Sequence, residues 1–278
     1  MSEPSTAPFR SSDADAWLAR AQAGDEHALD HLLAAVQPQL YRYSMKMCRQ
    51  PEDAEDILQE SLLAIARSVR TFRGQSSLST WIFTIARRFC IKRRRQASAT
   101  ASAAALVTLD AGLSDDLPAG DPTPYEQAET AEAWRQVHAA LSELDPGARE
   151  VLVLRDIEGL SAREVAQVVG ASVSAVKSRL HRARGELRER LARQPSRRSA
   201  TCPDIRLVFS KHLEDELSAS MCTTLQAHIE DCPDCAAECD GLKAALNACA
   251  AAPLEVPPAV QRRVKRALRQ ALEGTPSP

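Results

Sequence analysis

The sequence predicts an all-α protein with two small helical domains, joined by a flexible linker, and a small helical domain at the C-terminus. Apolar residues recur at three- and four-residue spacings in the long segments, as in amphipathic helices. Aromatic residues make up only 4% of the 278 residues, so the cores must be helix-packed aliphatic side chains. Helix-start signals are also present, such as the S-x-x-E capping box of Ser161 and Glu164. Together these observations predict the fold class.

The composition and the local patterns of the sequence limit the kinds of protein that this chain can be. Charged residues make up 26% and hydrophobic residues 44% of the chain, which is ordinary for a globular protein. No apolar run approaches the roughly 18 residues of a membrane span, and residues 1–13 have the composition of a disordered lead rather than a signal peptide. We therefore expect a cytoplasmic protein without membrane contact, whose cysteines bind metal or react rather than pair. No nucleophile–base pair or phosphate-binding loop stands out, so neither an enzyme nor a small-molecule substrate is predicted.

The first predicted domain covers residues 14–96. Its helical pattern is interrupted at Pro38, carries on directly after it, and breaks again at Gln50-Pro51, where a new helix starts. The helix from Pro51 to Val69 has an acidic first turn, which complements the helix dipole. Its exposed acidic residues fit either a docking face or ordinary solvated surface. Its predicted buried stripe consists of Ile57, Leu58, Leu62, Ile65 and Val69.

A basic helix ends this domain. It follows a loop rich in Gly and Ser at residues 71–80 and begins near Trp81, and its segment 87–95 holds six Lys/Arg and no acid. Such a helix is typical of a nuclear-type address, a membrane surface or a nucleic-acid interface. The membrane interpretation is the least favoured, because the apolar side continues into a folded domain.

The second predicted domain, residues 125–194, follows a linker at residues 97–124. Asp145 and Pro146 can start one helix, and the helix that opens at Ser161 stops at Gly170. The next helix is basic: residues 172–198 hold nine Lys/Arg against two Glu, a net charge of +7. Two helices around a glycine turn, the second of them basic, predict a helix-turn-helix that binds a phosphate backbone. Its predicted outer face carries Ser174, Lys177, Ser178, Arg179, His181, Arg182 and Arg184.

A cysteine-rich segment, residues 202–278, follows a polar hinge at residues 195–201. His228, Cys232 and Cys235 have the spacing H-x3-C-x2-C, and Cys202 can supply a fourth ligand. Three thiolates and an imidazole are typical of tetrahedral structural zinc, although unrelated buried thiols are the alternative. Cys222 and Cys239 could form a second thiolate-bound metal site or a redox-reactive set, whereas Cys249 fits a buried position.

Three motifs in this order resemble the extracytoplasmic-function (ECF) sigma factors of bacterial RNA polymerase. They are DAEDILQE (53–60), FRGQSSLSTW (72–81) and VKSRLHRAR (176–184), and the likeness covers residues 14–193. The resemblance makes the first domain sigma region 2 and the second sigma region 4. It implies that the acidic helix binds the clamp helices of the largest subunit of core RNA polymerase through Asp53, Asp56, Gln59 and Glu60.

The resemblance also implies two DNA contacts. The melted minus-10 element would be held by Arg73, Gln75, Ser76, Ser77, Trp81, Arg87, Arg88, Lys92 and Arg93. The minus-35 element would be held by Ser172, Ser174, Ala175, Lys177, Ser178, Arg179, His181, Arg182 and Arg184. Side chains near the start of the recognition helix would contact bases, and Arg179, Arg182 and Arg184 would contact phosphates.

The cysteine-rich segment resembles the zinc-binding anti-sigma domains, including their final helix at residues 256–272. It departs from their pattern by having Asp215-Glu216 where Asp-Gly-Glu is usual. The resemblance implies that the segment contacts the sigma regions and blocks polymerase binding in cis. Three alternatives stay open: a metal- or redox-dependent activator, a conventional helix-turn-helix regulator, and a partner-binding module with structural zinc.

Overall fold

The computed structural model describes residues 12–48, 50–103, 124–191, 202–251 and 256–273, and the regular secondary structure in these ranges is helical. The predicted all-α class is confirmed. The predicted hinge and most of the predicted lead and linker lie outside the described residues. Residues 97–103, predicted to begin the linker, instead belong to the helix Leu78–Ala103. Among the described residues, no helix combines the length and hydropathy needed to cross a membrane.

Twelve helices run through the described ranges. The first four are α1 (Ser12–Gln22), α2 (Glu26–Met47), α3 (Pro51–Ser68) and α4 (Leu78–Ala103). The next four are α5 (Pro124–Glu143), α6 (Pro146–Leu152), α7 (Ala162–Val169) and α8 (Val173–Leu191). The last four are α9 (Ile205–Leu213), α10 (Ala219–Asp231), α11 (Pro233–Ala251) and α12 (Pro258–Glu273). A 3₁₀ turn (Val69–Thr71) follows α3, and a π-helical turn (Val153–Ile157) continues α6.

The chain forms two compact units. The N-terminal unit contains α1–α4 and, from the other end of the sequence, α12. The helix-turn-helix unit contains most of α5 and all of α6–α11. The last helix of the predicted C-terminal domain therefore belongs with the first helices of the chain, whereas α9–α11 belong with the helix-turn-helix.

In the N-terminal unit, α2 and α4 pack against α3, and the predicted apolar stripe of α3 is buried throughout. The predicted interruption at Pro38 is wrong, because α2 runs unbroken through it. A proline inside a helix costs about 3 kcal/mol through its missing hydrogen bond. Fully buried Val36 and Leu40 on either side fix both halves of α2 against the core, which offsets that cost.

In the helix-turn-helix unit, the predicted helix signals are confirmed. The Asp145 side chain accepts hydrogen bonds from the backbone N–H groups of Gly147 and Ala148, and Pro146 occupies the first turn of α6. Ser161 and Glu164 form the capping box of α7. Gly170 ends α7 in the left-handed conformation at φ +67°, which glycine adopts without steric cost.

The helices α9–α11 have their own small core of Ile205, Phe209, Cys235, Cys239 and Leu242. The side chains of Cys202, Leu213, Leu225, Ile229, Cys232 and Leu246 pack around it. Because two of the predicted metal ligands lie next to this core and a third lies within it, the fold of these helices and the geometry of the cluster depend on each other.

Candidate nucleic-acid interface and metal centre

The recognition helix α8 begins directly after the turn at Gly170. Ser172 caps it, its Oγ accepting a hydrogen bond from the Ala175 N–H at 3.1 Å. Val176, Leu180 and Leu187 are buried against the rest of the unit. The other side of the first turns is therefore presented outward, as groove binding by a helix-turn-helix requires.

The residues predicted to hold the minus-35 element differ in exposure. Ser172, Ser174, Ser178 and Arg182 are exposed, and Ala175, Lys177, Arg179 and His181 are half-buried. Most of this set therefore lies on one accessible face of α8.

The prediction is wrong for Arg184, which does not lie on the outer face of α8. Only 1% of its side chain is exposed, and its guanidinium donates to both carboxylate oxygens of Asp156 at 2.8 and 2.6 Å. Burial opposes its charge, but Asp156 and Glu214 outweigh that effect and raise the pKa of Arg184 above its usual value. The sequence motif placed Arg184 on a basic helix, but only the folded unit shows which basic residues face inward.

The loop between α3 and α4 gathers the first part of the predicted minus-10 set. Phe72 and Trp81 stack with ring centroids 4.6 Å apart, and the Phe72 carbonyl accepts a hydrogen bond from Gln22 at 2.5 Å. Gly74 turns the loop at φ +67°. Ser77 caps α4, with its Oγ accepting from the Thr80 N–H. Arg73, Gln75 and Ser77 are exposed, and Ser76 and Trp81 are half-buried.

The basic residues of α4 face the acidic residues of α3. Arg93 donates to Asp53 at 2.6 Å and to Asp56 at 2.7 Å, and Lys92 lies 3.5 Å from Glu60. The hydrogen bond to Asp53 is the main cause that raises the pKa of Arg93. The predicted polymerase-binding and minus-10 surfaces therefore meet along one line of ion pairs. Of the other predicted residues, Arg88 is exposed, and Gln59 and Arg87 are half-buried.

The four predicted metal ligands come together. The ligand atoms of Cys202, His228, Cys232 and Cys235 all lie within 4.8 Å of one another. The Cys202 and Cys232 sulfurs are 3.8 Å apart, and His228 Nε2 lies 3.2 Å from the Cys235 sulfur. Tetrahedral zinc with Zn–S bonds of about 2.3 Å separates its sulfurs by about 3.8 Å, so the cluster fits this ion.

The electrostatics of the cluster also favour a cation. Burial and the neighbouring thiols of Cys202 and Cys232 raise the pKa of Cys235 to about 12. The backbone N–H of Cys235 hydrogen-bonds to Cys232 and lowers the pKa of that thiol. Thiols crowded in this way resist ionising together unless a metal ion compensates their charge. Among the described residues this is the one group with such geometry, and Cys222, Cys239 and Cys249 do not join a second.

Comparison with known proteins identifies the regions. A model of sigma-70 region 2 matches residues 32–100, a model of sigma-70 region 4 matches residues 134–187, and a zinc-finger model matches residues 202–236. The chain is 36% identical over 170 residues to the ECF RNA polymerase sigma factor SigM of Mycobacterium tuberculosis H37Rv, covering 61% of this chain and 80% of SigM. The chain belongs to the ECF sigma factor family.

A second ECF sigma factor agrees with this assignment. The ECF sigma factor SigE of Mycolicibacterium smegmatis is 30% identical over 197 residues, covering 70% of this chain and 72% of SigE. A solved structure of the sigma factor RpoE from Bartonella quintana, in complex with the anti-sigma factor NepR, is 24% identical with a TM-score of 0.49; it covers 60% of this chain and 98% of that one. As an ECF sigma factor, the chain binds RNA polymerase and directs transcription initiation at promoters.

This sigma factor carries its zinc-finger helices packed on region 4, a contact that motif reading did not locate. Both α9 and α11 pack against α8. Glu238 of α11, which is 1% exposed, lies 2.8 Å from Arg188 of α8 and 2.7 Å from Arg206 of α9. Two glycines make room for these arginines: a Cβ on Gly185 would lie 3.3 Å from Arg206, and a Cβ on Gly241 would lie 3.0 Å from Arg188.

Region 2 of this sigma factor is contacted by α12. Val260 and Val264 are buried, and α12 packs against α3, the acidic helix of region 2. Arg263 of α12 forms an ion pair with Glu55 of α3. The amphipathic pattern at residues 256–272 could have indicated a docking helix, but it carries no information about which helix it meets.

Proposed function

We propose that this ECF sigma factor is restrained in cis by its own C-terminal segment. Its regions 2 and 4 would hold the minus-10 and minus-35 elements through the two residue sets given above. The C-terminal segment would compete with core polymerase and promoter for these regions. Initiation then depends on a signal that releases the segment, and the protein acts with the polymerase in the cytoplasm.

The observation that carries this proposal is the docking of α12 on α3. The acidic helix α3 bears the residues expected to bind the clamp helices of the polymerase, namely Asp53, Asp56, Gln59 and Glu60. The helix α12 packs on α3 and ion-pairs with Glu55, which is adjacent in sequence to Asp56, while Asp56 and Glu60 themselves stay exposed. We therefore expect a docked α12 to hinder the approach of a polymerase helix to α3, without covering these residues itself.

The packing of α9 and α11 on α8 supports the same reading for region 4. Glu238 and Glu214 neutralise arginines of region 4 inside a buried interface. A single zinc ion held by Cys202, His228, Cys232 and Cys235 would fix the first turn of α11, because the ligand Cys235 lies three residues before Glu238. The role proposed for zinc is thus structural: it holds the inhibitory helices in their docked form.

In vitro transcription with core polymerase tests this proposal. The full chain is compared with a chain ending at Arg193, which lacks the zinc-finger helices and α12. We expect higher promoter-specific transcript yield from the shortened chain. Lower yield would identify the C-terminal segment as a metal-dependent activator, and unchanged yield would identify it as a module for another partner. Tight, specific binding to promoter duplex without core polymerase would instead indicate a conventional regulator.

A further inference from the structure

An acidic turn ends helix α9 and points at region 4. We call residues Glu214, Asp215 and Glu216 the acidic turn. The backbone N–H of Glu216 donates to the Lys211 carbonyl at 2.9 Å, and that of Asp215 donates to the His212 carbonyl at 3.1 Å. These two bonds form a Schellman motif, with Asp215 in the left-handed position at φ 55°. The direction of the Glu214 and Glu216 side chains is therefore set by the end of a helix.

Glu214 anchors the turn. Its side chain is 4% exposed, and its carboxylate accepts hydrogen bonds from Arg155 Nε at 3.1 and 3.2 Å and from Arg184 Nη2 at 3.0 Å. Arg155 also donates to the Leu213 carbonyl at 2.7 Å. Two arginines from different elements of region 4 thus hold one carboxylate from the zinc-finger helices.

Glu216 reaches the recognition helix itself. Its carboxylate forms an ion pair with Lys177 Nζ, and both side chains are only partly exposed. Lys177 lies one helical turn after Val173, where α8 begins, among the exposed residues expected to approach DNA. A carboxylate on this lysine accepts the same kind of charge-assisted hydrogen bond that a phosphate oxygen of bound DNA would accept.

We propose that the acidic turn is a phosphate mimic: anchored through Glu214, it places Glu216 on Lys177 and so competes with duplex DNA for the recognition helix. This inference rests on the proposed restraint in cis and adds that DNA, and not polymerase alone, is a competitor of the C-terminal segment. Competition is reciprocal, so duplex DNA in excess weakens the docking of α9 and α11 on α8.

The two glutamates differ in expected effect. The Lys177–Glu216 pair is partly solvated, and such pairs contribute about 0–1 kcal/mol, so Glu216→Gln is expected to raise the affinity for DNA by up to about fivefold. Glu214 is buried with two arginines, and removing one partner of a buried pair typically costs enough to change an equilibrium by about 30-fold or more. Glu214→Gln is therefore expected to raise the affinity for DNA further than Glu216→Gln does.

The test uses the full chain, zinc-loaded and without polymerase, and a fluorescent duplex of generic sequence, because phosphate contacts do not depend on sequence. Fluorescence anisotropy measures the affinity over a range of salt concentrations for the wild type, Glu216→Gln, Glu214→Gln and Glu230→Gln. Glu230 is exposed on α10, where it accepts a hydrogen bond from Gln226, so its variant removes the same charge elsewhere. We expect tighter binding in the two acidic-turn variants only. The plot of log affinity against log salt concentration should steepen by about 0.9 for the one phosphate contact that Lys177 gains.

Three outcomes distinguish the phosphate mimic from the proposed restraint in cis. Equal affinity in Glu216→Gln and Glu230→Gln, with an unchanged salt slope, overturns the phosphate mimic. If Glu214→Gln nevertheless raises transcription with core polymerase, the restraint in cis stands and acts on polymerase alone. If the chain ending at Arg193 shows no gain in transcription, the proposed restraint itself fails. Circular dichroism checks that Glu216→Gln, a change at a partly exposed side chain, keeps the fold.

Discussion

The C-terminal segment of this sigma factor contacts its two sigma regions in chemically different ways. On region 4, α9 and α11 meet α8 through buried charges, with Glu238 between Arg188 and Arg206 and Glu214 between Arg155 and Arg184. On region 2, α12 meets α3 through a buried valine stripe and one ion pair to Glu55. The first contact depends on exact placement of charges, and the second on apolar burial.

Because of this difference, we expect the contact on region 4 to supply specificity and the contact on region 2 to supply binding strength. Buried ion pairs contribute little net stability, because desolvation cancels most of the attraction, but a mismatched partner is penalised heavily. The contact on region 4 is also incompletely satisfied: Arg188 Nε and Nη1 are buried without a hydrogen-bond partner among the described residues. We infer that region 4 is held selectively, through charges whose placement must match, whereas α12 holds region 2 mainly by apolar contact.

Removing the metal is expected to have the largest effect and to act on one contact only. Structural zinc contributes about 10–16 kcal/mol in small zinc domains, so Cys235→Ser or chelation should disorder α9–α11 and free α8. Hydrogen–deuterium exchange should then accelerate in α9, α11 and the last turns of α8, while α3 and α12 keep their protection. Cys222→Ser, a cysteine outside the cluster, is the matched control. Equal acceleration in α12 would show that the two contacts are not independent.

Glu238→Ala is expected to have the second largest effect, a weaker docking of α9 and α11 on α8. It leaves Arg188 and Arg206 close together in a buried site, and breaking a buried pair in this way costs about 3–5 kcal/mol. The loss of exchange protection in α8 measures this cost. Glu189→Ala is the control, because Glu189 pairs with the same Arg206 but is largely exposed, so its loss should cost less than about 1 kcal/mol. Similar effects of the two variants would refute the idea that burial makes Glu238 central.

Val264→Ala probes the apolar contact. Val264 is 2% exposed, and removing two buried methyl groups should weaken the docking of α12 on α3 by about 2 kcal/mol. Exchange of the α12 amides should accelerate without any change in α9 or α11. Arg262→Ala, on the exposed face of the same helix, provides the comparison. A result in which salt weakens α12 docking more than this substitution does would mean that the contact with region 2 is electrostatic after all.

Sequence reasoning succeeded where the information is local. The cap at Asp145, the capping box at Ser161 and the buried stripe of α3 each depend on residues within a few turns of one another. The metal cluster was also predictable, because H-x3-C-x2-C fixes three of its ligands on adjoining helix ends. A clear local failure was Pro38, where packing on both sides of the proline outweighs its helix-breaking tendency.

The residues that bind DNA and polymerase were less predictable, because the role of a charged residue depends on which side chains pack against it in the folded protein. Arg184 belongs to a DNA-like motif and yet is buried against Asp156 and Glu214, which lie 28 and 30 residues away in the sequence. Likewise, Arg93 and Asp53 were assigned to different partners, DNA and polymerase, but they pair with each other. Pairings at such sequence separations follow from tertiary packing and leave no periodic trace in the chain.

Asp215→Gly is expected to have the smallest effect of these substitutions. Unlike the others, it should strengthen the docking of the C-terminal segment. Asp215 occupies the left-handed position that ends α9, where a side chain is strained and glycine is not. Glycine there should stabilise the turn by about 0.5–1 kcal/mol and tighten the docking of Glu214 and Glu216 on region 4. The temperature of thermal unfolding should rise slightly, and the yield of promoter-specific transcript should fall. Asp215→Ala, which keeps a Cβ at this φ but removes the carboxylate, separates backbone strain from charge. If alanine stabilises as much as glycine, the gain comes from the lost charge, and the acidic turn is limited by repulsion among its own carboxylates rather than by its backbone.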